Sequence, residues 1–208
     1  MIAIIDYDAG NLTSVARAVS HLGRSCVITK AADEIRGADR IIFPGVGAAG
    51  AAMESLKHSG LDVLIKAELA RGKPILGICL GTQIILTHSD ENDTPCLGIL
   101  DGTVRAFRPN NPSIDGQTLK IPHMGWNGIQ IERSHPLLSD VGADDEFYFV
   151  HSYYPEPENS ESVIAVTDYG LPFASILGFK NLFATQFHLE KSGLPGLKIL
   201  ENFCRWTP

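Results

Sequence analysis

Lys73-Pro-Ile-Leu-Gly-Ile-Cys-Leu-Gly-Thr-Gln83 decides the fold. The apolar run from Ile75 to Ile78 reads as a buried strand. Gly77 and Gly81 flank Cys79 at minus two and plus two, and a helix-like stretch, Thr82-Gln-Ile-Ile-Leu-Thr87, follows. This is the sequence form of a nucleophile elbow. A tight strand-to-helix turn lifts one side chain out of the sheet, and only glycines leave room for it. The N-terminus of the following helix favours a thiolate, the reactive form of cysteine. The other reading of a lone cysteine is a buried structural thiol. The glycine frame weighs against that reading.

Outward from the elbow, the first half alternates strand and helix signals. Ile2 to Asp6 and Ser25 to Thr29 are short apolar runs, and Arg40-Ile-Ile-Phe-Pro44 is a third. Between the first two lies an amphipathic segment, Leu12 to Leu22, which Asn11 is placed to cap. A long helical region, residues 49–70, precedes the elbow strand. Such alternation implies a doubly wound, mostly parallel α/β sheet flanked by helices, with functional loops at the carboxyl ends of the strands. Asp6-Tyr7, Pro44 to Gly47 and Cys79 all fall there.

The second half reads as added antiparallel strands. Leu97 to Ile131 is β-like, with turn signals at Asp101-Gly102, Asn110 to Pro112 and Asp115-Gly116. Phe147 to Tyr153, Ser162 to Val166 and Leu182 to His188 are strands, and Leu194 to Trp206 is a closing helix. There is no repeat, low-complexity stretch or linker, so residues 1–208 are expected to form one domain.

The formal charge of -7 on 208 residues excludes a nucleic-acid footprint and leaves small molecules or proteins as partners. Cys26, Cys79, Cys96 and Cys204 show neither zinc-site nor disulfide-scaffold spacing, so no metal or cofactor is expected. Met1-Ile-Ala-Ile-Ile-Asp6 is too short and too soon acidic for a signal peptide. No apolar run approaches the roughly 20 residues a membrane helix needs. A cytoplasmic location without membrane contact is expected, and it suits a free thiol.

His188 and Glu190 stand in Gln186-Phe-His-Leu-Glu-Lys-Ser192, just past a strand. Side chains one residue apart share a face while extended. A carboxylate there fixes the imidazole tautomer, and the imidazole takes a proton from a nearby thiol. A fold that brings His188 to Cys79 completes a Cys-His-Glu triad; otherwise His188 is a half-buried histidine and Glu190 a surface acid. The oxyanion formed in acyl chemistry needs donors. Leu80 N–H is one candidate and the Gly45-Val46-Gly47 loop offers another. That loop lacks the partner residues of a phosphate-binding motif.

Gly77-Ile-Cys-Leu-Gly-Thr-Gln83 resembles the nucleophile motif of the triad-type (class I) glutamine amidotransferases, whose fold is flavodoxin-like. Pro44-Gly-Val-Gly47 resembles the oxyanion loop of one branch, the glutaminase subunit of imidazole glycerol phosphate synthase. Further matches are Asp6 to Ser14, Gly102 to Phe107, Lys120-Ile-Pro-His-Met-Gly-Trp-Asn127 and Tyr148 to Tyr153. Together they cover nearly the whole chain. The resemblance implies that Cys79 attacks the carboxamide of L-glutamine, with His188 as base then acid and Glu190 orienting it. Gln83 is similar to the side chain that holds the amino-acid end, and His151, Ser152 and Tyr153 to the opposite wall. Ammonia would pass to a (β/α)-barrel synthase in a heterodimer. There it would yield imidazole glycerol phosphate and aminoimidazole carboxamide ribotide in histidine biosynthesis. Asn11, Trp126, Tyr148 and Lys191 match positions that face that synthase.

Two positions depart from the branch. Leu189 replaces the usual proline between the triad histidine and glutamate, and is expected to leave Glu190 less preorganised. Thr82 replaces a more usual methionine. Leu189 keeps open a paralogue feeding a synthase-like partner in surface-sugar biosynthesis. The readings from other classes are a stand-alone cysteine hydrolase and a binding subunit without catalysis.

Overall fold

The computed structural model describes residues 1–108 and 119–208. The turns expected at Asn110 to Pro112 and Asp115-Gly116 lie outside the described residues.

The chain opens with β1 (Ile2–Ile5), α1 (Leu12–His21), β2 (Cys26–Thr29), α2 (Ala32–Gly37) and β3 (Arg40–Gly45). Then come α3 (Ala49–Ser59), α4 (Leu61–Ala70), β4 (Ile75–Cys79) and α5 (Leu80–Gln83). The second half carries β5 (His88–Ser89), β6 (Thr94–Pro95), β7 (Gly102–Ala106), β8 (His123–Gly128) and β9 (Gln130–Ile131). It continues with β10 (Glu146–His151), β11 (Tyr153–Pro157), β12 (Val163–Asp168), β13 (Pro172–Phe179) and β14 (Leu182–Thr185), and closes with α6 (Gly193–Arg205).

The main sheet has eight strands in the order β2-β1-β3-β4-β14-β13-β12-β9. Pairing is parallel from β2 through to β14 and antiparallel beyond it. This is the α/β architecture with antiparallel additions that the strand-helix alternation implies. Two small sheets, β10-β8 and β11-β7-β5-β6, sit beside it. Successive residues of β1 feed opposite cores: Ala3 and Ile5 pack with Met53, Leu56 and Ile65 of α3 and α4. Ile2 and Ile4 pack with Val15 and Val19 of α1 and with Ile199, Leu200 and Phe203 of α6. Helices cover both faces, so the strands read as unbroken apolar runs. Each such isoleucine, fully buried, stabilises by about 1.5–3 kcal/mol.

Several boundaries differ from the sequence reading. The helical region 49–70 is two helices, separated by Gly60 at φ 72°. The helix after the elbow is one turn, because the carbonyls of Ile84, Ile85 and Leu86 accept from Leu97, Ile99 and Gly98 of a crossing loop. Phe147 to Tyr153 divides at Ser152, whose carbonyl accepts from Phe107 N–H as the chain changes sheets. Asn11 precedes α1 but makes no side-chain cap. Because β1, β3, β4 and β14 run parallel, Tyr7, Gly45, Cys79 and His188 collect at one end of the sheet, where the strand order reverses around β1 and β3.

Candidate active site

Cys79 sits at the end of β4 with φ 54° and ψ -106°, a left-handed-side conformation that costs a non-glycine residue on the order of 1–3 kcal/mol. Packing holds the turn in place. A Cβ at Gly81 would lie 1.9 Å from Phe43 O, and one at Gly77 would lie 2.9 Å from Ala184 Cβ. Thr82 Oγ1 donates to Thr185 O at 2.6 Å and ties α5 to β14. The polar residue in the methionine position is therefore a tether beneath the elbow.

His188 and Glu190 meet at 2.7 Å through Nδ1 and Oε1, and both side chains are buried. A carboxylate oxygen accepts, so the neutral ring carries its proton on Nδ1. Its Nε2 is buried without a hydrogen-bond partner among the described residues. Burial alone would lower the His188 pKa, but the neighbouring Cys79 and Glu190 groups outweigh burial and raise it. Asn11 Nδ2 donates to the same Glu190 oxygen. Leu189 is fully buried in the core between them. The looseness expected of leucine is thus offset by its own packing and by two hydrogen bonds on Glu190.

A cavity of about 370 Å³ opens at the thiol. Val46, Gly47, Cys79, Leu80 and Gln83 line one side, and His151, Ser152 and Tyr153 another. Gly45 lies behind, paired with Cys79 across β3 and β4. The structure therefore gathers the elbow, the glycine loop, Gln83 and the residue 151–153 wall. Gln83 Nε2 donates to Tyr153 O at 2.8 Å and to Gln186 Oε1 at 3.1 Å, and Gln186 Nε2 lies 3.7 Å from Cys79 Sγ. Both ring nitrogens of His151 are engaged, with His123 and with Tyr153 O.

Sequence reasoning missed Gln186, and it missed Glu91, which reaches the cavity while its Oε2 accepts from Ala49 N–H at 2.7 Å. Nothing in the polar run around Glu91 marks it, since its position depends on how residues 88–95 fold back. Trp126, Tyr148 and Lys191 form a separate surface patch. The Trp126 and Tyr148 rings are 6.0 Å apart, and Lys191 Nζ lies 5.9 Å from the Tyr148 ring. Trp126 and Met124 are more than half exposed there, at 54% and 61%. Asn11 instead turns inward to Glu190. Among the described residues there is no group of three or more metal-ligating side chains, and no helix long and apolar enough to cross a membrane.

A family model described as glutamine amidotransferase class-I matches residues 3–206. The imidazole glycerol phosphate synthase subunit HisH of Nitratidesulfovibrio vulgaris (strain DP4) is 52% identical over 206 residues, covering 99% of this chain and 96% of the relative. The same-named subunit of Neisseria meningitidis serogroup B is 45% identical, covering 98% and 99%. Among solved structures, a glutamine amidotransferase superposes with TM-score 0.71 at 17% identity, covering 98% of this chain and all of that one. The structure of PurLQS from Thermotoga maritima gives a TM-score of 0.68 at 18% identity, covering 98% of this chain and 97% of that one. These two speak for the fold.

Proposed function

The chain belongs to the class-I glutamine amidotransferase family, among relatives of the imidazole glycerol phosphate synthase subunit HisH, and we propose that residues 1–208 act as one glutaminase domain supplying ammonia to a synthase subunit. The observation that carries this is the buried, unpartnered His188 Nε2, with Nδ1 on Glu190, at the end of the sheet where the Cys79 elbow stands.

Glutamine enters the cavity with its carboxamide at Cys79. Gln83 and the backbone of Ser152 and Tyr153 hold the amino-acid end, and the Glu91 carboxylate faces its ammonium. Cys79 Sγ gives its proton to His188 Nε2 and attacks the carboxamide carbon. Leu80 N–H and a peptide N–H of the Gly45-Val46-Gly47 loop stabilise the oxyanion. The C–N bond breaks as His188 returns the proton, and ammonia leaves. Water, deprotonated by His188, then opens the thioester to glutamate. Glu190 holds the ring throughout.

The ammonia passes to a (β/α)-barrel synthase subunit that makes imidazole glycerol phosphate and aminoimidazole carboxamide ribotide. The relatives' names support that pairing. Trp126, Tyr148 and Lys191 are the proposed contact surface, with Asn11 at its inner margin. Val46, between two glycines, turns its peptide to complete the donor set only when the synthase is bound.

Glutamate release is measured with the chain alone and with the histidine-pathway synthase and its ribotide. A low basal rate that rises strongly in the complex is expected; full activity of the chain alone would overturn the on-demand loop. Replacing Cys79 by alanine abolishes glutamine use and leaves ammonia-dependent synthesis by the partner intact. Loss of both would make Cys79 structural.

A further inference from the structure

Tyr153 O, His151, His123 and Asn127 form a hydrogen-bonded chain whose proton positions have a single solution. A carbonyl only accepts, so His151 Nδ1, 2.8 Å from Tyr153 O, carries a proton. His151 is buried, and burial pushes its pKa down to about 3, so the ring is neutral and Nε2 is bare. Bare Nε2 accepts from His123 Nδ1 at 3.0 Å. Burial also pushes His123 down to about 4, so its own Nε2 is bare and accepts from Asn127 Nδ2 at 3.4 Å. The orientation of Asn127 is fixed independently. Its Nδ2 donates to Asp168 O at 2.9 Å and its Oδ1 accepts from Gly128 N–H at 2.9 Å.

The rings are clamped as well. His123 stacks between Tyr169 and Phe149, with centroids 3.9 and 4.7 Å away and planes within 23° and 21°. Tyr169 is pinned by its hydroxyl, which donates to Lys120 O. At the far end, Tyr153 O also accepts from Gln83, which holds Gln186, which reaches Cys79 Sγ. His123 and Asn127 lie on β8, on either side of the exposed Trp126, and His123 pairs with His151 across β8 and β10.

We propose that His123 is a positioning residue: through His151 it fixes the Tyr153 carbonyl, and with it Gln83, so that the strand bearing Trp126 sets the shape of the glutamine pocket. This rests on the reading of the cavity as a glutamine site. His123 is buried and touches no substrate. It acts by donating to His151 Nε2, so that the ring is held at both nitrogens with its Nδ1–H on Tyr153 O. Without that donor, His151 Nε2 is a buried acceptor with no partner, and the ring is held by the Tyr153 O contact alone.

The test uses the full chain with Cys79→Ala to prevent turnover. Glutamine binding is measured calorimetrically, and the hydrogen bonding of both His151 ring nitrogens is read by nitrogen NMR, for His123→Phe and His123→Asn. Phenylalanine keeps the stacked ring and removes the donor. Asparagine keeps a donor near the Nδ1 position. His123→Phe is expected to weaken glutamine binding about tenfold and to weaken the His151 Nδ1–H hydrogen bond to Tyr153 O. His123→Asn is expected to stay within about threefold of the parent and to keep that hydrogen bond. Equal losses in both variants with His151 unchanged, or no loss in either, would overturn the proposal. A parent that binds no glutamine would overturn the reading of the cavity. The His151 Nδ1–H hydrogen bond would then still decide whether His123 positions that ring.

Discussion

Asn11 Nδ2 and His188 Nδ1 converge on one oxygen of Glu190. The orienting carboxylate is therefore held from two sides, by the imidazole it steadies and by the residue that precedes α1. Its other oxygen is buried with no partner among the described residues, so each hydrogen bond on Oε1 counts. Replacing Asn11 by alanine removes a charge-assisted donor. The expected outcome is a fall of about tenfold in kcat with glutamine KM nearly unchanged, measured in the synthase complex. Asn11→Asp sets a second carboxylate against Glu190 and should cost more. An unchanged kcat in both would show that the imidazole alone positions Glu190.

Stability should respond to pH with opposite signs at two groups of histidines. His188 is raised in the folded state, so its contribution is full below the ordinary value of 6.5 and is lost as pH rises through the raised value. Burial depresses His123 and His135 to about 4 and His151 to about 3, with the Arg133 charge adding to the effect at His135. Their neutral forms favour the fold above 6.5, and that advantage is lost as pH falls toward those values. Urea midpoints should therefore drop between about pH 7 and about pH 4, and less steeply in His123→Phe. On the alkaline side, Cys79→Ala should flatten the decline, because the thiol is one of the groups that raise His188. Parallel slopes in variant and parent would contradict this assignment.

Tyr7 carries a hydroxyl that is buried without a partner among the described residues. It rests against Gly45, where a Cβ would lie 1.9 Å from the oxygen. Burial raises the phenol well above its usual range, and the Cys79 charge adds to this. A buried hydroxyl without a hydrogen bond is destabilising, so Tyr7→Phe should gain about 1 kcal/mol. For a chain of this size that is about 2–4 °C in Tm by scanning calorimetry. A lower Tm would mean the hydroxyl is bonded after all.

The parallel half of the fold was legible because its strands are buried on both faces. Unbroken runs such as Ile2 to Ile5 and Ile75 to Ile78 then leave little ambiguity. The elbow was legible because steric need writes glycine into fixed places: Gly81 has no room for a Cβ against Phe43 O. What escaped depends on long-range contacts. Asn11 has the composition of a helix cap, but its partner is 179 residues away. The one-turn length of α5 is set by a loop that takes its carbonyls, and nothing in Thr82 to Thr87 announces that loop. Glu91 and Gln186 are ordinary polar residues until folding brings them to the cavity and to Cys79.

Leu189 is where the sequence argued for a less preorganised Glu190 and the structure supplies a compensation. A proline there would fix φ, but it would give up a leucine side chain that is fully buried among Phe187, Leu200 and Phe203. The backbone is already held, since Leu189 O accepts from Ser192 N–H and Ser192 Oγ donates to His188 O at 2.6 Å. The conformational restriction gained by proline is worth about 0.4–1 kcal/mol. Trimming a buried leucine costs more, about 1–3 kcal/mol for a loss of this size. Leu189→Pro should therefore lower stability by about 1–2 kcal/mol in urea unfolding. It should leave the stimulated kcat no higher than that of the parent, because Asn11 and His188 already fix Glu190. A variant that turned over faster without losing stability would show that the turn, and not those two hydrogen bonds, limits the placement of Glu190.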